Sequence, residues 1–147
     1  MNVNELNVLL ADDDTDDCTF FKTALAELSI PVNLKLVHDG EQLMNYLSEN
    51  SDKLPTILFL DLNMPRKNGV ECLTEIIQHE KLKAMPVVMF STFYSKDTIN
   101  MLFKIGARVY IRKTSDLAQL KQVIHHAIGM ATEKILSSTQ LRYILNA

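Results

Sequence analysis

Ile57-Leu58-Phe59-Leu60-Asp61-Leu62-Asn63-Met64-Pro65 is the stretch that decides the fold. Side chains of a strand alternate between its two faces, so a run that is apolar at every position needs cover on both sides. Val8-Leu9-Leu10-Ala11 and Val87-Val88-Met89-Phe90 repeat the pattern. Such runs read as central strands of a parallel sheet with helices above and below. Each also stops at polar residues with chemical uses: Asp12 and Asp13 after the first run, Asp61 after the second, Ser91 after the third.

Working outward, five strands are predicted at Leu6–Ala11, Asn33–Val37, Thr56–Leu60, Pro86–Phe90 and Arg108–Arg112. Between them apolar residues recur three and four apart, as in Phe21, Ala24, Leu25 and Leu28, or Ile99, Leu102 and Phe103. That spacing is the buried stripe of an amphipathic helix, and strands alternating with helices make βαβ units. Asp14 and Thr15 are placed to cap the first helix and Ser115 the fifth. Gly40 and Gly69 are expected at turns before helices, and Gly106 at the end of the fourth. Right-handed crossovers then wind helices onto both faces. One domain spans residues 1–130. Residues 131–147 are a tail with an apolar side at Ile135, Leu136, Leu141, Ile144 and Leu145, read as one or two docked helical turns. Extending the last helix, capping the core and mediating a homodimer are all open to it.

The 147 residues, 47% of them hydrophobic, suffice for one core. A net charge of −3 without a basic stripe argues against nucleic-acid binding. The N-terminus lacks the pattern of a signal peptide and no apolar run approaches membrane-spanning length, so a cytoplasmic protein away from membranes is expected. Cys18 and Cys72 lie outside any metal or C-x-x-C spacing and read as reduced, partly buried thiols. His38, His79, His125 and His126 show no metal spacing and read as surface residues.

In an open doubly wound sheet, ligands bind beyond the C-terminal ends of the strands. There Asp12, Asp13, Asp61, Ser91 and Lys113 would converge. Carboxylates brought that close repel one another unless a cation intervenes. Oxygen-only donors favour a hard ion, and an incomplete cage that leaves places for water and phosphate oxygen suits Mg²⁺ better than Ca²⁺. Lys113 supplies a positive charge for a phosphoryl oxygen, Ser91 a neutral donor, and an aspartate can act as the nucleophile. Asp14, Asp16 and Asp17 are read as first-turn acids that favour the helix dipole.

Across roughly residues 5–130 the sequence resembles the receiver domain of bacterial response regulators, the CheY-like family. The resemblance is carried by Ala11-Asp12-Asp13, by Leu60-Asp61-Leu62-Asn63-Met64-Pro65 with Gly69 beyond, by Pro86-Val87-Val88-Met89-Phe90-Ser91, and by Gly106-Ala107-Arg108-Val109-Tyr110-Ile111-Arg112-Lys113. It implies a doubly wound, flavodoxin-like α/β fold with five parallel strands in the order 2-1-3-4-5. Asp61 would accept a phosphoryl group from a sensor histidine kinase or phosphotransfer protein, making the chain a switch rather than a turnover enzyme. Asp13, Asp61 and the backbone carbonyl of Asn63 would hold Mg²⁺, with Asp12 acting through water. Lys113 would pair with phosphoryl oxygens, and Ser91 and Tyr110 would be the switch residues. A downstream protein target would bind the face made by helix 4, strand 5 and helix 5.

The family usually has proline after the lysine, whereas this chain has Thr114, which predicts a trans Lys113–Thr114 bond. Phe93, two residues past Ser91, is placed to crowd water attacking an acyl phosphate, which predicts slow self-dephosphorylation. A haloacid-dehalogenase-like phosphatase would want an acid where Asn63 stands. An EF-hand fails at Asp17 and Thr23, which occupy the glycine and closing glutamate positions. A flavodoxin-like cofactor binder would not carry so acidic a first loop. The remaining alternative is a phosphorylation-independent interaction module on the same fold.

Overall fold

The structure is a computed structural model that describes residues 5–133 and 143–145. Six parallel strands, β1 (Leu6–Ala11), β2 (Val32–Val37), β3 (Ile57–Leu60), β4 (Val87–Ser91), β5 (Val109–Arg112) and β6 (Tyr143–Leu145), form one sheet in the order β2-β1-β3-β4-β5-β6. Five helices connect or follow them: α1 (Thr15–Ala26), α2 (Gly40–Glu49), α3 (Gly69–Gln78), α4 (Lys96–Ile105) and α5 (Leu117–Thr132). The doubly wound parallel sheet expected from the sequence is present, with an added edge strand.

Strand alternation divides the core into two layers. Leu9, Ala11, Leu58, Leu60, Met89 and Tyr110 point toward α2, α3 and α4, where they meet Leu43, Leu73, Ile76 and Leu102. Val8, Leu10, Phe59, Phe90 and Ile111 point the other way, onto Phe21, Leu25, Leu120 and Ile124 of α1 and α5. In that second layer Phe21, Phe59 and Phe90 pack edge to face, with centroids 4.9–6.1 Å apart. Both cysteines are buried and free. Burial pushes the Cys18 thiol up to about 11 and that of Cys72 to about 12, so neither is a ready nucleophile.

Several local expectations are corrected. Gly40 and Gly69 are the first residues of α2 and α3, and the caps are Asp39 and Asn68, whose side chains accept the amides of Gln42 and Glu71. The glycines are needed for close approach: a methyl on Gly69 would overlap the backbone carbonyl of Asp61, and one on Gly40 that of Lys67. Asp116, not Ser115, caps α5 by accepting the Gln119 amide at 3.1 Å. The Thr114 hydroxyl accepts the Asp116 amide at 3.1 Å, which moves the helix start one residue along. The Lys113–Thr114 bond is trans, as expected, because the described residues contain no cis peptide.

In the tail, α5 runs to Thr132, past the expected boundary at 130. Ile144 and Leu145, expected on a helical turn, instead lie in β6, paired with Tyr110 and Ile111 of β5. The physical reason is the edge of β5. Its unpaired backbone groups are satisfied by a parallel strand, and an aromatic and a β-branched residue suit that role. Ile135, Leu136 and Leu141 lie outside the described residues. Among the described residues no helix is long and apolar enough to cross a membrane.

Candidate functional site

Ladder hydrogen bonds fix each site residue immediately past a strand end. The Asp12 amide donates to Val37 O (3.0 Å), the Asp61 amide to Ala11 O (3.0 Å) and the Lys113 amide to Ser91 O (2.9 Å). Because the strands are parallel and in register, all these ends lie on one rim of the sheet.

Asp12, Asp13 and Asp61 each bring a carboxylate oxygen within 4.8 Å of the others. Asp12 is fully buried: Oδ1 accepts the Asp14 amide (3.0 Å) and Oδ2 meets the Lys113 ammonium at 2.7 Å. Asp13 is exposed beside it, and Asp61 is buried, 3.6 Å from Lys113 Nζ. That last separation is too long for a hydrogen bond, so the attraction is Coulombic. Burial therefore dominates Asp61 and raises its carboxyl to about 7. Lys113 opposes the rise, Asp12 adds to it, and hydrogen bonds from the Asn63 and Leu62 backbone oppose it. Burial works against the charge of Lys113 too, but hydrogen bonds to Asp12 and Asp17 and the charge of Asp61 outweigh it and raise the ammonium above its ordinary value.

Asn63 is exposed, two residues past Asp61 in the β3–α3 loop, whose far end is tied back by the Gly69 amide on Leu62 O (2.8 Å). Ser91, 1% exposed, ends β4, and its Oγ accepts the Phe93 amide at 3.1 Å. Tyr110 is fully buried and donates its hydroxyl to the Phe93 carbonyl. The two predicted switch residues thus both hold the backbone of Phe93, one at its amide and the other at its carbonyl. Phe93 itself exposes 48% of its surface on the loop before α4.

Two participants escaped the sequence reading. Asp17, read as a helix-dipole acid, forms a 2.8 Å ion pair with Lys113. The Phe93 backbone joins Ser91 to Tyr110, whereas the sequence singles out only the Phe93 ring. No local signal marks either. Asp17 and Lys113 are 96 residues apart.

The donors are all hard oxygens. Three clustered carboxylates outnumber the one ammonium, which Asp17 also shares, so the cluster suits a divalent cation. A doubly wound sheet with an acidic, cation-ready pocket and a lysine at its strand ends defines a class of proteins with a cation-assisted anion site beyond the sheet. Within that class the response regulator receiver domain family matches residues 8–125, and the chain belongs to it. It is a receiver domain of two-component signalling. Response regulator Rcp1 of a Synechocystis strain is 31% identical over 122 residues, covering 80% of this chain and 82% of that protein. The crystal structure of an Mn(2+)-bound form of Rcp1 superposes with a TM-score of 0.73 at 27% identity, over 97% of this chain and 99% of that one. The phosphorylated cyanobacterial phytochrome response regulator RcpA gives 0.74 at 32% identity, over the same shares.

Proposed function

We propose that the protein is a phosphorylation switch in which Asp61 accepts a phosphoryl group from a phosphohistidine on a sensor kinase or phosphotransfer protein, in the cytoplasm. What carries this reading is the gathering of the Asp12, Asp13 and Asp61 carboxylates within 4.8 Å of one another, with the Lys113 ammonium set against Asp12 and Asp61. Asp13, Asp61 and the Asn63 carbonyl are the direct ligands in this reading, and Asp12 acts through water. Mg²⁺, when bound, screens the charge of the incoming phosphoryl oxygens and holds Asp61 ionised. The similarity to an Mn(2+)-bound relative and a phosphorylated one supports both assignments.

In the transfer, an Asp61 carboxylate oxygen forms the new bond to phosphorus while the phosphorus–nitrogen bond breaks. The histidine nitrogen leaves with that electron pair and takes up a proton. Lys113 then faces the phosphoryl oxygens, and Ser91 donates to one of them, giving up the Phe93 amide. With that hold released, the Tyr110 hydroxyl and the loop before α4 are free to rearrange, a two-state change biased by new hydrogen bonds. The output surface in this reading is the face of α4, β5 and α5, where β6 covers the edge of β5, and it is read by a protein partner rather than by nucleic acid.

The test is intact-mass measurement after incubation with Mg²⁺ and a small acyl phosphate. Wild type should gain the mass of one phosphoryl group, and Asp61→Asn or metal-chelated protein should gain none. An unmodified wild type would leave the fold as a phosphorylation-independent interaction module, whose partner binding would survive Asp61→Asn.

A further inference from the structure

The Lys113 ammonium has three protons, and two are committed before any phosphoryl group arrives: one to Asp12 at 2.7 Å, the other to Asp17 at 2.8 Å. Phe90 lies beneath the ammonium at 5.3 Å from its ring centroid, and Asp61 stands off at 3.6 Å. The two committed partners differ in how easily they let go. Asp12 is fully buried with both oxygens engaged, so losing Lys113 would strand a charge away from water. The Asp17 side chain is 37% exposed in the first turn of α1, where released oxygens rehydrate at once.

The geometry points to Asp17 as a positioning residue, a latch that holds Lys113 short of hydrogen-bond contact with Asp61 in the unphosphorylated protein. The inference rests on the phosphoacceptor reading of the site. A phosphoryl group on Asp61 draws the ammonium and its third proton toward its own oxygens, and of the two committed contacts the one with Asp17 is the easier to lengthen. The carboxylate of Asp17 therefore competes directly with the phosphoryl group for the same cation, and it opposes the added negative charge. The latch sets how far the switch is biased toward its resting state, since a two-state equilibrium moves only by the difference in contacts between its states.

Beryllofluoride, which mimics a phosphoryl group on a carboxylate, is the probe. Its dissociation constant is read from backbone amide shifts at saturating Mg²⁺ in wild type, Asp17→Asn and Asp16→Asn. Asp16→Asn removes the same charge from the same exposed turn without touching Lys113. Thermal midpoints are measured in parallel. Asp17→Asn should bind beryllofluoride roughly threefold to fivefold more tightly, the scale of a half-exposed ion pair. Asp16→Asn should match wild type, although both variants lose a similar small helix-dipole stabilisation. Equal or weaker binding by Asp17→Asn overturns the latch, as does an equal gain in Asp16→Asn, which would make the effect one of general charge. Wild type that binds no beryllofluoride brings down the phosphoacceptor reading itself, and the latch with it.

Discussion

At the ends of β1 and β3 the Asp12 and Asp61 carboxylates are gripped from several directions, whereas at the end of β4 the Ser91 hydroxyl is tied to a loop. Asp12 has both oxygens engaged and its own carbonyl approached by Cys18 Sγ and His38 Nδ1, and the backbone around Asp61 is wedged against Gly69. Across the pocket, the Ser91 hydroxyl accepts the Phe93 amide and lies in hydrogen-bond contact with the Tyr110 hydroxyl, and the loop beyond carries Phe93 and Tyr94 substantially exposed. One half of the site holds fixed charge and the other holds removable contacts. A switch needs both: a constant field for the incoming group, and a part that changes partners at low cost.

The harshest test of the rigid half is Lys113→Met in metal-free protein. It leaves Asp12 buried without its counter-charge, and breaking such a pair costs roughly 3 kcal/mol. Denaturant unfolding at pH 8 should show that loss, and Mg²⁺ should restore much of it by binding the folded state alone. A loss no larger than that of an ordinary surface substitution, about 0.5 kcal/mol, would mean that Lys113 does not hold this half together.

Protons probe the same half. Burial pushes the Asp61 carboxyl up to about 7 in the metal-free fold, against an ordinary carboxylate value of ~4 in the unfolded chain. Between those values the folded state holds the extra proton, so this contribution to stability is complete at the acid end and is lost as pH rises through about 7. Asp61→Asn should flatten that slope and raise stability at pH 8. The same proton competes with the metal, so apparent Mg²⁺ affinity should be roughly tenfold weaker at pH 6 than at pH 8. Calorimetric titration at the two pH values checks this. A pH-independent affinity would place the raised carboxyl outside the metal site.

On the loop side, Tyr110→Phe removes the hydroxyl that holds the Phe93 carbonyl and meets the Ser91 side chain. The expected cost is about 1 kcal/mol, together with faster amide exchange in the loop before α4. Unchanged exchange there would separate Tyr110 from the moving part.

The sequence made the sheet legible because its signal is local. Val8–Ala11, Ile57–Leu60 and Val87–Phe90 are apolar at every position, and observed strand bounds differ from the expected ones by a residue at most. The rim residues followed, since a polar residue after a buried strand has one place to go. What escaped depends on distant pairing or on an ambiguous local cue. Asp17 satisfies a helix-dipole rule so completely that nothing local asks for Lys113 as well. Tyr143-Ile144-Leu145 has too few residues to show a period of two, and only the open edge of β5 makes it a strand. Ser115 and Asp116 are both good caps, and the choice turned on the Thr114 hydroxyl, a residue noticed only as the absence of a proline.

Phe93→Ala should have the smallest effect on stability, and it bears most directly on what the removable half does. The ring is 48% exposed and belongs to neither core layer, so truncation should change unfolding free energy by less than about 0.5 kcal/mol. Its backbone, held by Ser91 and Tyr110, stays where it is. If the ring screens the acyl phosphate on Asp61 from water, the phosphorylated variant should lose its phosphoryl group faster than wild type, by intact mass over time in Mg²⁺. Slower or equal loss would assign Phe93 to the loop through its backbone alone, and the exposed ring would then belong to the surface that a partner reads.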